Sequence, residues 1–180
     1  MMHRRDAIAA TACLGLYSLS GCLDSVTSGS GGGSGNAGEE MRRDIVTTYD
    51  DAIVARNDAT AARDEGITAF NEESYAEAIE SIETALSGYE DAEEGFAEAA
   101  DLATEIGEES AADICETAVD DTALQADATD AALSAARAAR DDADAETING
   151  HIERFRSLRE DAAAISVADA DAVASALGLE

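Results

Sequence analysis

Between Ser74 and Ile106 apolar side chains return every seven residues. Tyr75, Ile82, Tyr89, Phe96 and Ala103 form one row; Ala78, Ala85, Ala92, Ala99 and Ile106 form a second, three positions on. Positions three and four apart share one face of an α-helix, so the spacing predicts a helix with a coiled-coil seam in which large side chains face small ones. Ser74 with Glu77 has the form of a capping box, and Gly107 fits the first position beyond the helix end. Gly88 and Gly95 lie inside the span, where each weakens a helix by about 1 kcal/mol relative to alanine.

Three further helices are predicted. One, from about Glu39 to Asn71, carries the stripe Ile45, Tyr49, Ala52, Ala59, Gly66 and Phe70, with Ile53 and Ile67 beside it. Another, from about Ser110 to Asp142, turns Ile114, Ala118, Gln125, Ala132 and Ala139 inward. The next, from about Ala145 to Ser166, has Ile148, Ile152, Phe155, Leu158, Ala162 and Ile165 on one face, and residues 168–177 read as a short fifth helix or a frayed end. The chain has no proline, and its alanine content favours helix over sheet. The breaks near 71–74, 108–109 and 142–145 are short, which makes neighbours antiparallel. The expected fold is all-α: an antiparallel up-down bundle of three long helices plus a shorter fourth, over residues 39–180.

The N-terminal residues follow a different pattern. Arg4-Arg5 precede a short apolar run from Ala7 to Leu19, too short for the roughly 20 residues that span a bilayer. Leu19-Ser20-Gly21-Cys22 closes that run. The order resembles a twin-arginine signal peptide ending in a lipobox. That resemblance implies an export signal at Arg4 and Arg5, cleavage after residue 21 and a lipid on Cys22. Residues 22–38 then comprise the anchor cysteine and a Gly/Ser-rich linker, flexible by composition. The resemblance places the protein on the extracytoplasmic face of the cell membrane, lipid-anchored.

Charge changes the expected solvent. The chain has 11 Lys+Arg, all of them arginine, against 40 Asp+Glu. Cleavage would remove Arg4, Arg5 and Asp6, leaving 9 positive and 39 negative side chains, a formal charge of −30 over 159 residues. Such self-repulsion opposes a compact state in dilute salt, whereas molar salt screens charges beyond about 3 Å. Lysine-free, acidic composition resembles the proteins of extreme halophiles, haloarchaea in particular, a group that exports many proteins by the twin-arginine route. With no basic face to neutralise phosphates, nucleic acid is excluded as a partner.

Residues Ala61 to Leu86 resemble one tetratricopeptide repeat, through Gly66, Phe70, Tyr75, Ala78, Ile79, Ile82, Ala85 and Leu86. Ala62 and Glu65 depart from the large apolar residues of that family's first helix, no proline closes the unit and no second copy follows. The same residues satisfy any antiparallel helical hairpin, so a generic bundle hairpin is expected over a true repeat.

Chemistry-bearing residues are few. His151 is the only histidine after residue 21, and a ferritin-like di-metal site needs two Glu-x-x-His motifs. It reads as a helix-surface or packing residue. Cys115, near Ile114 and Ala118, reads as a small buried hydrophobe. Acidic pairs such as Glu93-Glu94 lack the spacing of a calcium loop and read as solvated surface. Arg137, Arg140, Arg154, Arg156 and Arg159 hold five of the nine positive charges of the cleaved chain and flank one helix break. They pair with carboxylates or form an anion-binding cluster. No catalytic set, metal site or cofactor is expected. The expected function is therefore a non-enzymatic, membrane-tethered helical module that binds or scaffolds an envelope protein. The alternative is an extracytoplasmic small-ligand or ion-binding lipoprotein, using the arginines or a cleft in the bundle. An aromatic or polar pocket would favour the alternative; an exposed apolar patch would favour the protein partner.

Overall fold

A computed structural model of the chain describes residues 33–179, and all their regular structure is helical. Five helices follow in order: α1 (Gly33–Asn71), α2 (Tyr75–Glu105), α3 (Glu109–Arg140), α4 (Ala145–Ala163) and α5 (Ala170–Ala176). They form a helical bundle in which α1 packs on α2, α2 on α3 and α3 on α4. α5 rests on α1 and α3, and α1 touches α3 only sparsely. α1 begins at Gly33 and so takes in the last residues of the stretch that composition reads as a coil. The proposed lipid site Cys22 and the export residues Arg4 and Arg5 lie outside the described residues. No described helix is long and apolar enough to cross a membrane.

The seven-residue rows of α2 form its buried face: Ala78, Ile82, Ala85, Tyr89, Ala92, Phe96, Ala99 and Ala103 are buried, whereas Tyr75 and Ile106, at the two ends, are only partly so. Gly88 and Gly95 do not break this helix. A Cβ at Gly95 would stand 2.9 Å from the Ala52 Cβ, and one at Gly88 would stand 3.0 Å from the Ala59 Cβ. A Cβ at Gly66 of α1 would meet Ile82 Cγ1 at 2.5 Å and the Ala78 carbonyl at 3.1 Å. The glycines are therefore where α1 and α2 approach most closely, and packing outweighs their poor helix propensity.

The helix ends depart from expectation in a consistent way. Ser74 occupies the N-cap of α2 but its side chain makes no capping bond, and α3 starts at Glu109 behind Glu108 rather than at Ser110. Asp144 and Asp169 do cap, accepting from the amides of Thr147 and Ala172. α2 ends as expected at Gly107, at φ +77°. There Glu108 N–H donates to the Ala103 carbonyl and Gly107 N–H to that of Thr104, the Schellman arrangement. The same closure follows α1 and α3 without glycine, on Glu73 (φ 61°) and Asp142 (φ 54°). A left-handed conformation strains these side chains by about 1–2 kcal/mol each.

α3 differs from the single stripe expected of it. Ala118 and Ala132 are buried as anticipated, whereas Ile114, Gln125 and Ala139 are only partly so. Ala111, Cys115, Thr122, Ala128, Thr129, Ala131 and Ala136 are buried as well, because α3 lies between α2 and α4 and covers two faces. The main apolar cluster joins Ile45 and Tyr49 of α1, Phe96 and Ala103 of α2, Cys115 and Ala118 of α3, and Val173 and Leu177 of α5. The Tyr49 and Phe96 rings sit 5.0 Å apart, and Tyr49 Oη donates to the Ala168 carbonyl at 2.8 Å, tying the approach to α5 onto α1. Among the described residues no buried side-chain nitrogen or oxygen lacks a partner.

Phe96 is fully buried. Phe96→Ala should destabilise the bundle by about 3–5 kcal/mol. Glu94→Ala, on the exposed side of the same helix, should change stability by no more than about 0.5 kcal/mol in denaturant titration.

Burial raises Tyr49 from 10.0 to about 12 and Cys115 from 9.0 to about 11. The fold disfavours phenolate and thiolate, so each contribution is complete below the unfolded value and is lost as pH rises through the folded one. Melting temperature should fall between about pH 9 and 12. Cys115→Ala should flatten the lower part of that fall, and an unchanged profile would remove Cys115 as its cause.

Candidate functional site

Six of the nine arginines beyond residue 21 form ion pairs, and four of these six lie in α1. Arg42, Arg56 and Arg63 belong to a seven-residue series with Tyr49 and Phe70, so they share one face of α1. That face looks across to α3. Arg42 pairs with Glu108 at the start of α3, and Arg56 Nε donates to Asp121 Oδ2 at 2.8 Å. Arg63 is buried and donates to Gln125 Oε1 at 2.6 Å and to Tyr89 Oη at 3.0 Å. Tyr89 Oη also shares a hydrogen with Thr60 Oγ1 at 2.9 Å, and Arg63 Nη2 reaches Asp64 Oδ1 at 3.1 Å. The arrangement fixes α1 to α3 where their backbones are too far apart for small side chains to touch. It offers no open position to a substrate.

The C-terminal arginines do not converge on one site. Arg137 donates to Glu83 of α2 at 2.7 Å, and Arg140 pairs with its neighbour Asp141. The side-chain hydrogen bond between them, together with their opposite charges, raises Arg140 and lowers Asp141 from their ordinary values. Arg154, Arg156 and Arg159 of α4 have no carboxylate at ion-pair distance among the described residues. The Arg159 guanidinium lies 5.6 Å from the centre of the Phe155 ring, a cation–π contact. Arg156 lines a cleft.

That cleft has a volume of about 250 Å³. Its sides are Ile67, Phe70 and Asn71 at the end of α1, and Ile152, Phe155 and Arg156 of α4; Ile82 of α2 and Ala132 and Ala135 of α3 complete it. Its origin is local. α4 packs on α3, and α1 makes no close contact with α4. The intervening side chains of α3 are alanines, too short to fill the space between Phe70 and Phe155. Both rings are partly buried against the Ile82–Leu133 cluster, so the cleft is aromatic-walled and largely apolar. Asn71 and Arg156 are its polar groups, and no carboxylate lines it. Other surface hollows are acidic, as at Asp64, Glu65 and Glu72 or at Glu94, Glu98, Asp101 and Glu105.

His151 is partly exposed on α4 and Cys115 is a buried free thiol. Among the described residues no group of His, Cys, Asp or Glu is placed to hold a metal ion. No protein-family model, curated protein or solved structure matches the chain. The reading of its function therefore rests on geometry.

Arg56, Arg63 and Asp121 have no part in the sequence-level candidates, although the series Arg42-Tyr49-Arg56-Arg63-Phe70 is visible in the chain. Asp121 is buried and keeps its charge partner only through Arg56. Arg56→Met should therefore destabilise by about 3–5 kcal/mol, because it strands a buried carboxylate. Adding Asp121→Leu should recover most of that loss, and a double variant no more stable than Arg56→Met would overturn the assignment.

Proposed function

We propose that the chain is a lipid-tethered, extracytoplasmic, non-enzymatic module, adapted to high salt, whose cleft takes a small apolar ligand. The aromatic-walled cleft between α1 and α4 carries this reading. A protein partner held on an apolar face needs an exposed patch, and Val54 is the one large hydrophobic residue that stands exposed among the described residues. The small-ligand reading therefore has better support than a scaffold for an envelope protein.

The three long helices run up, down and up, with α4 as the shorter fourth. Support for the antiparallel α1–α2 pair comes from rising residue numbers meeting falling ones: Ala52 lies by Gly95, Ala59 by Gly88 and Gly66 by Ile82. On α1 and α3 the numbers rise together, from Arg42–Glu108 to Arg63–Gln125, as in a parallel pair. The cleft involves the last residues of α1, about 50 Å along the helix from its start at 1.5 Å per residue.

The cleft has room for a short apolar chain, and each methylene group fully buried there yields about 0.8 kcal/mol before the loss of ligand freedom.

Cys22→Ser should release the protein from membranes or leave it unprocessed; retention and normal processing in that variant would refute the tether. An uncharged naphthylamine probe should bind the wild type saturably in molar potassium chloride, with enhanced fluorescence. Ile152→Glu, which places a carboxylate at the half-buried edge of the cleft, should abolish that binding with little change in the helical circular dichroism. Undiminished binding in this variant would show that the cleft is not the site.

A further inference from the structure

We infer that the ligand is an anionic amphiphile: a single short apolar chain ending in a carboxylate or phosphate. The inference rests on the small-ligand reading of the cleft and adds the chemistry of the ligand's head.

Three observations carry it. First, the polar groups of the cleft are Asn71 and Arg156. A guanidinium has only donors and a side-chain amide offers two, so the head they match is rich in acceptors. Second, the cleft has no carboxylate in its lining, although the chain has 40 Asp+Glu in 180 residues. An anion there meets no like charge in direct contact. Third, the arginines of α4 are set apart from the others. Every arginine of α1 and α3 has a carboxylate at ion-pair distance; Arg154, Arg156 and Arg159 have none among the described residues. In so acidic a chain a free guanidinium is the exception, and these three gather on α4, which with the end of α1 forms the sides of the cleft. Arg159 is held over the Phe155 ring, which itself lines the cleft, so positive charge lies along the wall and not only at Arg156.

The net charge of the chain opposes such a ligand over long distances. Molar salt, in which the Debye length is about 3 Å, screens that long-range opposition.

The test uses the full chain in molar potassium chloride and displacement of the uncharged naphthylamine probe by decanoate, decyl phosphate or decanol, each below its micellar concentration. Decanoate or decyl phosphate should displace the probe at concentrations about 10-fold lower than decanol, a factor worth about 1.4 kcal/mol. The stronger of the two identifies the head as carboxylate or phosphate. Arg156→Gln should bring all three to the decanol value while probe binding persists. Arg137→Gln, whose guanidinium pairs with Glu83 outside the cleft, should keep the wild-type preference. Equal displacement by the three amphiphiles, or an anion preference that survives Arg156→Gln, would overturn the anionic head and leave the cleft reading standing. Failure of the probe to bind the wild type at all would overturn both.

Discussion

The close approach of α1 and α2 along small residues governs the rest of the bundle. Ala52 meets Gly95, Ala59 meets Gly88, and Gly66 lies against Ile82 and the Ala78 carbonyl, so the two backbones come together as far as side chains permit. Contact at that range gains dispersion energy along the whole length of both helices, although each residue buries little area. This matters in a chain with three phenylalanines and no tryptophan. Large side chains are then concentrated at a few levels: Ile45, Tyr49 and Phe96 near the α5 end, Tyr89 in the middle, and Ile82 with Leu133 beyond it.

Arginine supplies what alanine cannot on the face of α1 that looks toward α3. In the seven-residue series Arg42, Tyr49, Arg56, Arg63, Phe70 the three arginines set long, donor-bearing side chains on one face of α1. Their stems cover apolar surface and their heads find Glu108, Asp121, Gln125 and the Tyr89 hydroxyl. Buried ion pairs of this kind add little net stability compared with apolar packing, but breaking one is expensive. They also disfavour other relative positions of α1 and α3, since a shifted register would leave Asp121 without its guanidinium.

The cleft is the counterpart of that economy. Where α1 ends, the heptad series supplies Phe70 rather than arginine, and α3 presents Ala132 and Ala135. α4 has only α3 for a long neighbour, and one of its residues, Ala162, is fully enclosed. Its remaining apolar stripe, Ile148, Ile152, Phe155 and Leu158, is half-buried, and Ile165, expected on the same helix, lies beyond its end. The unused part of that stripe faces the end of α1, and the arginines that flank it have no carboxylates to answer them. A cleft arises here from incomplete packing between α4 and the end of α1.

The seven-residue spacing determines α2 and its buried face, because which side chains share a helix face is a local property of 3.6 residues per turn. Helix content and the breaks between helices are legible for the same reason: absence of proline, alanine richness and turn residues act within a few positions. Other features depend on what lies across from a residue. The sequence marks Gly88 and Gly95 as weak points, and only the position of Ala52 and Ala59 makes them the closest seam. A periodicity calculation sees one face of α3, whereas a helix between two neighbours buries two. Five C-terminal arginines look like one cluster in the chain, yet Arg137 turns to Glu83 while Arg156 turns to the cleft. The buried links of Arg56 and Arg63 join residues more than 60 positions apart. Local spacing says which residues share a face; the partner that each face meets, a carboxylate for Arg137 and none for Arg156 among the described residues, is decided by the packing of whole helices.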